Sequence, residues 1–165
     1  MVVLIIVAVL SAMATVMLRG TSYAGTPNGF AEELAAEIEA ASRAAIATRR
    51  PHAIQLTTDV SGQHLIVWRA KSEGLGSPAI NTTNFDQVRV LNPPRDVTID
   101  AVVGSTTITT GGHPGSGFGV PCAMMFQPDG SAQALTFYIT DLKGTRKARV
   151  AVYAVTAMTY VLNDW

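Results

Sequence analysis

Charge is scarce in this chain. Only 15% of its 165 residues are Asp, Glu, Lys or Arg, and the 12 basic side chains balance the 12 acidic ones. Ordinary soluble domains carry about 25% charged residues. The even balance excludes capture of nucleic acid by the surface as a whole. Cysteine is nearly absent. The single Cys122 excludes an internal disulfide framework and any multi-cysteine zinc or iron–sulfur site. No internal repeat of solenoid length is present. Apolar residues make up 48% of the chain, which excludes a disordered polar polymer, and the length fits one globular domain.

The apolar excess is concentrated at the start. Met1–Leu18 (MVVLIIVAVLSAMATVML) carries no charge, and Arg19 is the first ionisable side chain. As a helix it reaches about 27 Å, close to the thickness of a bilayer's hydrocarbon core. It is apolar on every side, as contact with lipid requires. Ser11 and Thr15 are compatible with this, because a hydroxyl can bond a carbonyl one turn back. A buried core helix of this length without charge is unusual. A cleaved secretory signal is the stronger rival, with Val2–Leu10 as its apolar region and Ala12-Met13-Ala14 as its cleavage site. No Lys or Arg precedes the run, which favours a retained membrane helix.

Residues 19–29 (RGTSYAGTPNG) break the helix with glycine and proline. Thr26-Pro27 then reads as an N-cap followed by proline in the first helical position. Phe30, Leu34, Ile38, Ala41 and Ala45 recur in three- and four-residue steps, placing one apolar stripe on one face. Glu32, Glu33, Glu37 and Glu39 come early, with Arg43, Arg49 and Arg50 late. That order predicts a favourable alignment with the helix dipole and a Glu39–Arg43 pair. Pro51 stops the helix. The glutamates read as a solvated face, not as acid–base catalysts.

From His52 the pattern is strand-like. Ile54 and Leu56, then Leu65 and Val67, flank Asp59-Val60-Ser61-Gly62 and predict a hairpin. Residues 70–85 read as a loop, and Gln87–Leu91 as a short strand ended by Asn92-Pro93-Pro94. Val97–Thr110 predicts two strands turning at Gly104, and Gly111–Pro121 a surface loop. Further strands are expected at Ala123–Phe126, Gln133–Thr140, Ala148–Tyr153 and Thr156–Leu162, with turns at Pro128-Asp129-Gly130 and Lys143-Gly144. One helix followed by antiparallel strands is an α+β arrangement. The expected division is a membrane or filament-packing segment and break over residues 1–25 and a globular α+β domain over 26–165.

No catalytic, cofactor or metal site emerges. Gly111–Gly119 lacks the lysine and Ser/Thr of a phosphate-binding loop. His52, His64 and His113 have no ligand partners at helical spacing. Cys122 reads as a small buried thiol, Ser116 lacks the flanking pattern of a nucleophile elbow, and Trp68, on the face opposite Val67, reads as a packing residue. Lys143, Arg146, Lys147 and Arg149 crowd the segment LKGTRKAR and can hold a phosphate backbone at low salt. A solvated hairpin tip is the favoured reading of that cluster.

The chain resembles the type IV pilin and pseudopilin superfamily, and within it the GspH/FimT family of minor pseudopilins. Three stretches carry the likeness: the apolar MVVLIIVAVLSAMA, the helix Leu34–Arg50 running into Pro51-His52-Ala53-Ile54-Gln55-Leu56, and Met125-Phe126-Gln127-Pro128-Asp129-Gly130-Ser131, similar to the family's late Phe-x-Pro-x-Gly turn. Residues 57–121 carry none of it. The family's late Thr-Gly-Arg is replaced by Thr156-Ala157-Met158. Met1 falls inside the family's apolar start, so the basic leader and the family glutamate, two residues before Met1, are expected upstream.

The resemblance implies a pilin-like fold with an amphipathic helix packed on antiparallel sheets. It implies a non-enzymatic subunit without cofactor or small-molecule substrate, held in the bacterial inner membrane by one span with its C-terminal domain periplasmic. Val2, Val3, Leu4, Ile5, Ile6, Val7, Val9 and Leu10 would then pack against the helices of neighbours in a type II secretion pseudopilus or type IV pilus. The implied partners are other major and minor pseudopilins, the inner-membrane assembly platform and the lipid bilayer. A second reading is a minor pilin that binds DNA for uptake through Lys143, Arg146, Lys147 and Arg149. A third is a freely secreted β-rich protein whose leader ends at Ala14.

Overall fold

The computed structural model describes residues 25–74, 80–104, 108–110, 122–154 and 156–163. Its helix, α1, spans Pro27–Thr48. Thr26 caps it in an extended conformation, and its Oγ1 accepts the Gly29 N–H at 3.2 Å. A cap of this kind is worth about 1 kcal/mol, because it satisfies one of the unpaired donors of the first turn. The predicted stripe is buried in full, together with Ala31, Ala35 and Ser42.

The C-terminal end departs from expectation. The helix stops at Thr48, short of Arg50, and Arg49 turns into the left-handed region at φ 54° with its N–H on the Ile46 carbonyl at 3.4 Å. Pro51 disfavours the helical conformation for the residue before it, so the chain leaves the helix early. Arg49 and Arg50 therefore lie beyond the last turn, and the first turn, Pro27 to Phe30, holds no carboxylate. The expected dipole alignment is absent at both ends, since the effect fades within one turn. The Glu39–Arg43 pair does form, at 3.5 Å on the surface.

The strands build two antiparallel sheets. In the first, β1 (His52–Asp59), β2 (Gly62–Ala70), β3 (Phe85–Leu91) and β6 (Cys122–Phe126) take the order β3-β2-β1-β6. In the second, β4 (Val97–Gly104), β5 (Ile108–Thr110), β7 (Leu135–Asp141), β8 (Lys147–Val152) and β9 (Thr159–Asn163) take the order β5-β4-β7-β8-β9. The β1–β2 hairpin turns through Val60-Ser61, with Asp59 opposite Gly62 at φ 126°. Two predicted strands begin late. β7 opens at Leu135, and Ala132 makes only an isolated bridge to Phe126. β9 opens at Thr159, because the chain first reverses through Ala157 at φ 49°.

Helix and sheets share one core. Phe30, Leu34 and Ile38 meet Ile54 and Leu56 of β1, Leu65 of β2, Ile99 of β4, Phe126 of β6, and Phe137, Ile139 and Val150 of the second sheet. The small residues Ala31, Ala35, Ala41 and Ala45 let the helix backbone approach both sheets. A second cluster of Ala53, Trp68, Ala70, Phe85 and Met125 covers the other face of the four-stranded sheet. Trp68 is the packing residue expected, and its indole N–H reaches Gln55 Oε1 at 2.9 Å.

One buried polar side chain stitches the sheets together. Gln63 on β2 donates from Nε2 to the Ile99 carbonyl at 2.8 Å and accepts the Ile99 N–H at 2.7 Å and the Thr98 hydroxyl at 3.1 Å. Ile99 lies opposite Ile139 of β7, whereas on the other side β5 reaches only Ala101 to Val103. The Ile99 amide is thus left open by a short neighbouring strand. The Gln63 amide, which has the same donor and acceptor as a peptide group, completes the ladder there.

Candidate interaction surfaces

The structure brings the four basic residues to one end of the β7–β8 hairpin. Lys143 and Arg146 are exposed in the turn, while Lys147 and Arg149 alternate with the buried Ala148 and Val150 and face outward from β8. Asp141 holds this tip together. Its Oδ1 accepts the N–H of Thr145 at 2.7 Å and of Arg146 at 3.2 Å, and its Oδ2 accepts the Thr145 hydroxyl at 2.7 Å. These bonds, the Thr145 hydroxyl first, keep the carboxyl below its ordinary range. A fixed anion therefore sits among the four cations. The Nε of Arg149 is buried without a hydrogen bond among the described residues. The residues predicted to pack in membrane and filament, Val2 to Leu10, lie outside the described residues, as do Gly111–Gly119, His113 and Ser116 and the side chain of Cys122.

A second cluster escaped the sequence reading. At the β1–β2 turn, Ser61 Oγ lies 3.1 Å from His64 Nε2, and His64 Nδ1 lies 2.6 Å from Asn92 Oδ1. Serine, imidazole and amide in that order form the skeleton of a nucleophilic relay. The Asp59 carboxylate changes its chemistry. Asp59 Oδ1 accepts the Ser61 hydroxyl at 2.5 Å and lies 3.1 Å from His64 Nε2. The serine proton is directed to Asp59, and both ring nitrogens face acceptors. That arrangement favours the imidazolium, which has no lone pair with which to take a proton.

The titrations follow from the geometry. The Asn92 contact first, then Asp59, raises the His64 pKa above its ordinary value. The Ser61 hydroxyl first, then the Ser61 N–H and His64, lowers Asp59 to about 2. Ser61 is exposed, and among the described residues no water-excluding cleft surrounds it. Its evident work is to pin the hairpin tip to the residue that follows β3. Asp59-x-Ser61 was legible as a turn that binds its own backbone. Asn92, 28 positions from His64, carried no such signal.

His52 is buried, with Nδ1 3.0 Å from the Arg50 carbonyl, and burial lowers its pKa. Among the described residues, no group of three His, Cys, Asp or Glu side chains can hold a metal ion. A shallow, open groove of about 540 Å³ lies beyond the end of α1, lined by Arg49, Glu73, Gly74, Pro128 and Asp129. Its wall is the predicted late turn. Gly130, at φ 86°, closes it with its N–H on the Gln127 carbonyl at 3.0 Å, and a Cβ there would come 3.5 Å from Ile46 Cδ1. The turn thus packs under the last turn of the helix.

A helix laid across two antiparallel sheets is the pilin-like α+β architecture. The fold is similar to that of the minor pseudopilin EpsH from the type 2 secretion system of Vibrio cholerae, with a TM-score of 0.55 over 81% of this chain and 93% of that chain. The two sequences are 10% identical, so the likeness is one of fold. The chain matches no family model, and no curated protein matches it in sequence. Among the described residues no helix is long and apolar enough to cross a membrane.

Proposed function

We propose that the chain is a minor pseudopilin: a structural, non-enzymatic subunit of a type II secretion pseudopilus or a type IV pilus. The observation that carries this reading is the pseudopilin-like fold preceded, across a short break, by an uncharged apolar run long enough to span a bilayer. Met1–Leu18 anchors the subunit in the inner membrane, with the globular domain in the periplasm. During assembly the same surface exchanges lipid for the helices of neighbouring subunits. Lipid tails are as apolar as the side chains, so packing and not hydrophobicity decides that exchange. The β-branched and alanine residues among Val2, Val3, Ile5, Ile6, Val7, Ala8 and Val9 give a stiff surface of low relief suited to it. The partners are the other major and minor pseudopilins and the inner-membrane assembly platform.

Deleting Met1–Leu18 tests the reading. The truncated chain should move from the membrane fraction to the soluble fraction and disappear from sheared filaments. A charge at the centre, Val9→Arg, should weaken membrane retention, since a central Arg costs about 2.5–3.5 kcal/mol on insertion scales. Filaments that incorporate the deleted chain as well as the parent would refute it.

A further inference from the structure

Two of the edge strands, β3 and β9, are built differently. β3 carries Asp86 and Arg89, and its pairing with β2 slips between Val67 and Trp68, which leaves Val88 without an opposite residue. Charge and a bulge are the usual devices that stop an edge from recruiting another strand. β9, Thr159-Tyr160-Val161-Leu162-Asn163, has neither charge nor proline, and its pairing with β8 runs without a shift.

The phase of the β8–β9 ladder decides which groups β9 leaves free. The Tyr153 N–H donates to the Met158 carbonyl at 3.1 Å, one step before Val152 opposite Thr159. Antiparallel pairs alternate between bonded and non-bonded. Tyr160 and Leu162 therefore bond toward β8, opposite Ala151 and Arg149. Thr159, Val161 and Asn163 turn their N–H and C=O groups away from it. On the outer face the same edge exposes Tyr160, Leu162 and Met158, with Tyr153 meeting Tyr160 edge-on at 5.4 Å.

We propose that the edge of β9, which no described strand covers, pairs antiparallel with β9 of a second copy of this chain, about a two-fold axis through Val161. The strand is complementary to itself in that register. The two Val161 residues exchange backbone hydrogen bonds, Thr159 faces Asn163, and on the outer face Tyr160 of each copy lies over Leu162 of the other. No charge on β9 meets its like, and the exposed apolar stripe is covered twice by the dyad. The pairing joins two five-stranded sheets into one.

The register makes the proposal testable in the full chain in detergent, with Cys122→Ser removing the native thiol. Tyr160 and Leu162 of the second copy form a non-bonded pair, with Cα atoms about 4.5 Å apart, which a disulfide can span. Chains carrying Tyr160→Cys mixed with chains carrying Leu162→Cys should cross-link on mild oxidation. Either variant alone should not, because like positions sit diagonally, about 7–8 Å apart. Independently of any cysteine, Tyr160→Lys or Leu162→Glu should weaken dimerisation about two- to thirtyfold, since the dyad removes two cross-strand pairs at once. Mixing those two chains should restore it through Lys–Glu pairs. Equal cross-linking in all three mixtures, none in any, a dimer indifferent to the charges, or pairing of β9 only with a different protein overturns the proposal.

Discussion

Removing the amide of Gln63 should cost the domain a large share of its stability. In Gln63→Leu the volume is nearly kept, but the N–H and C=O of Ile99 lose their partners at 2.7 Å and 2.8 Å in a site where residue 63 is only 9% exposed. Each unsatisfied buried group costs about 1–3 kcal/mol. With partial relaxation, the expected loss is about 2–4 kcal/mol, against a total of about 5–15 kcal/mol for a domain. Urea unfolding of residues 26–165, monitored by tryptophan fluorescence, should show the midpoint fall by about 1–2 M at an m-value near 2 kcal/mol/M. Gln63→Glu separates hydrogen bonding from shape. Its carboxylate can still accept from Ile99 N–H but faces the Ile99 carbonyl with no donor, so its folded pKa rises above about 4.3. The variant should be weak at neutral pH and recover as pH falls through that raised value, when the proton supplies the donor. A Gln63→Leu midpoint within about 0.2 M of the parent, equivalent to about 0.5 kcal/mol, would refute the account of Gln63 as a substitute strand.

Arg49→Gly should raise stability by about 0.5–1 kcal/mol, since Arg49 holds a left-handed conformation that glycine adopts freely; calorimetry that finds no gain would mean the site is unstrained. His64 should titrate by NMR above its ordinary 6.5, and Asn92→Ala should lower it, because the Asn92 contact is the largest cause of the shift. A group whose pKa is raised by folding contributes fully below its unfolded value and loses that contribution as pH climbs through the folded one. The His64 contribution is therefore complete below pH 6.5 and fades above it. For Asp59 the sign is opposite: its contribution is complete above its ordinary 3.8 and is lost as pH falls toward about 2. The hairpin tip should show its greatest hydrogen-exchange protection between those limits, and a profile that rises steadily into alkaline pH would contradict the geometry.

The elements specified by local signals are legible in the sequence. Thr26-Pro27 marked the start of α1, the Phe30–Ala45 stripe marked its buried face, and Asp59–Gly62 marked the first hairpin. In each case the signal lies within a few residues of the structure it specifies: a cap, a periodicity, a turn. The helix ends two residues before the predicted Arg50 because Pro51 acts through the backbone of its predecessor. β7 and β9 begin later than the sequence predicts because Ala132 is taken up by an isolated bridge to Phe126 and the chain reverses through the buried Ala157 at φ 49°.

The sequence by itself determined an apolar uncharged opening, a break, one amphipathic helix and a series of short antiparallel strands, because hydrophobic period and turn chemistry are local properties of the chain. Only the tertiary structure decided that the strands divide into two sheets, that Gln63 closes a gap left by β5, that Asn92 completes the His64 cluster, and that β9 lies at the edge of its sheet. Each of these depends on groups far apart in sequence, brought together when α1 buries its alanine face against both sheets.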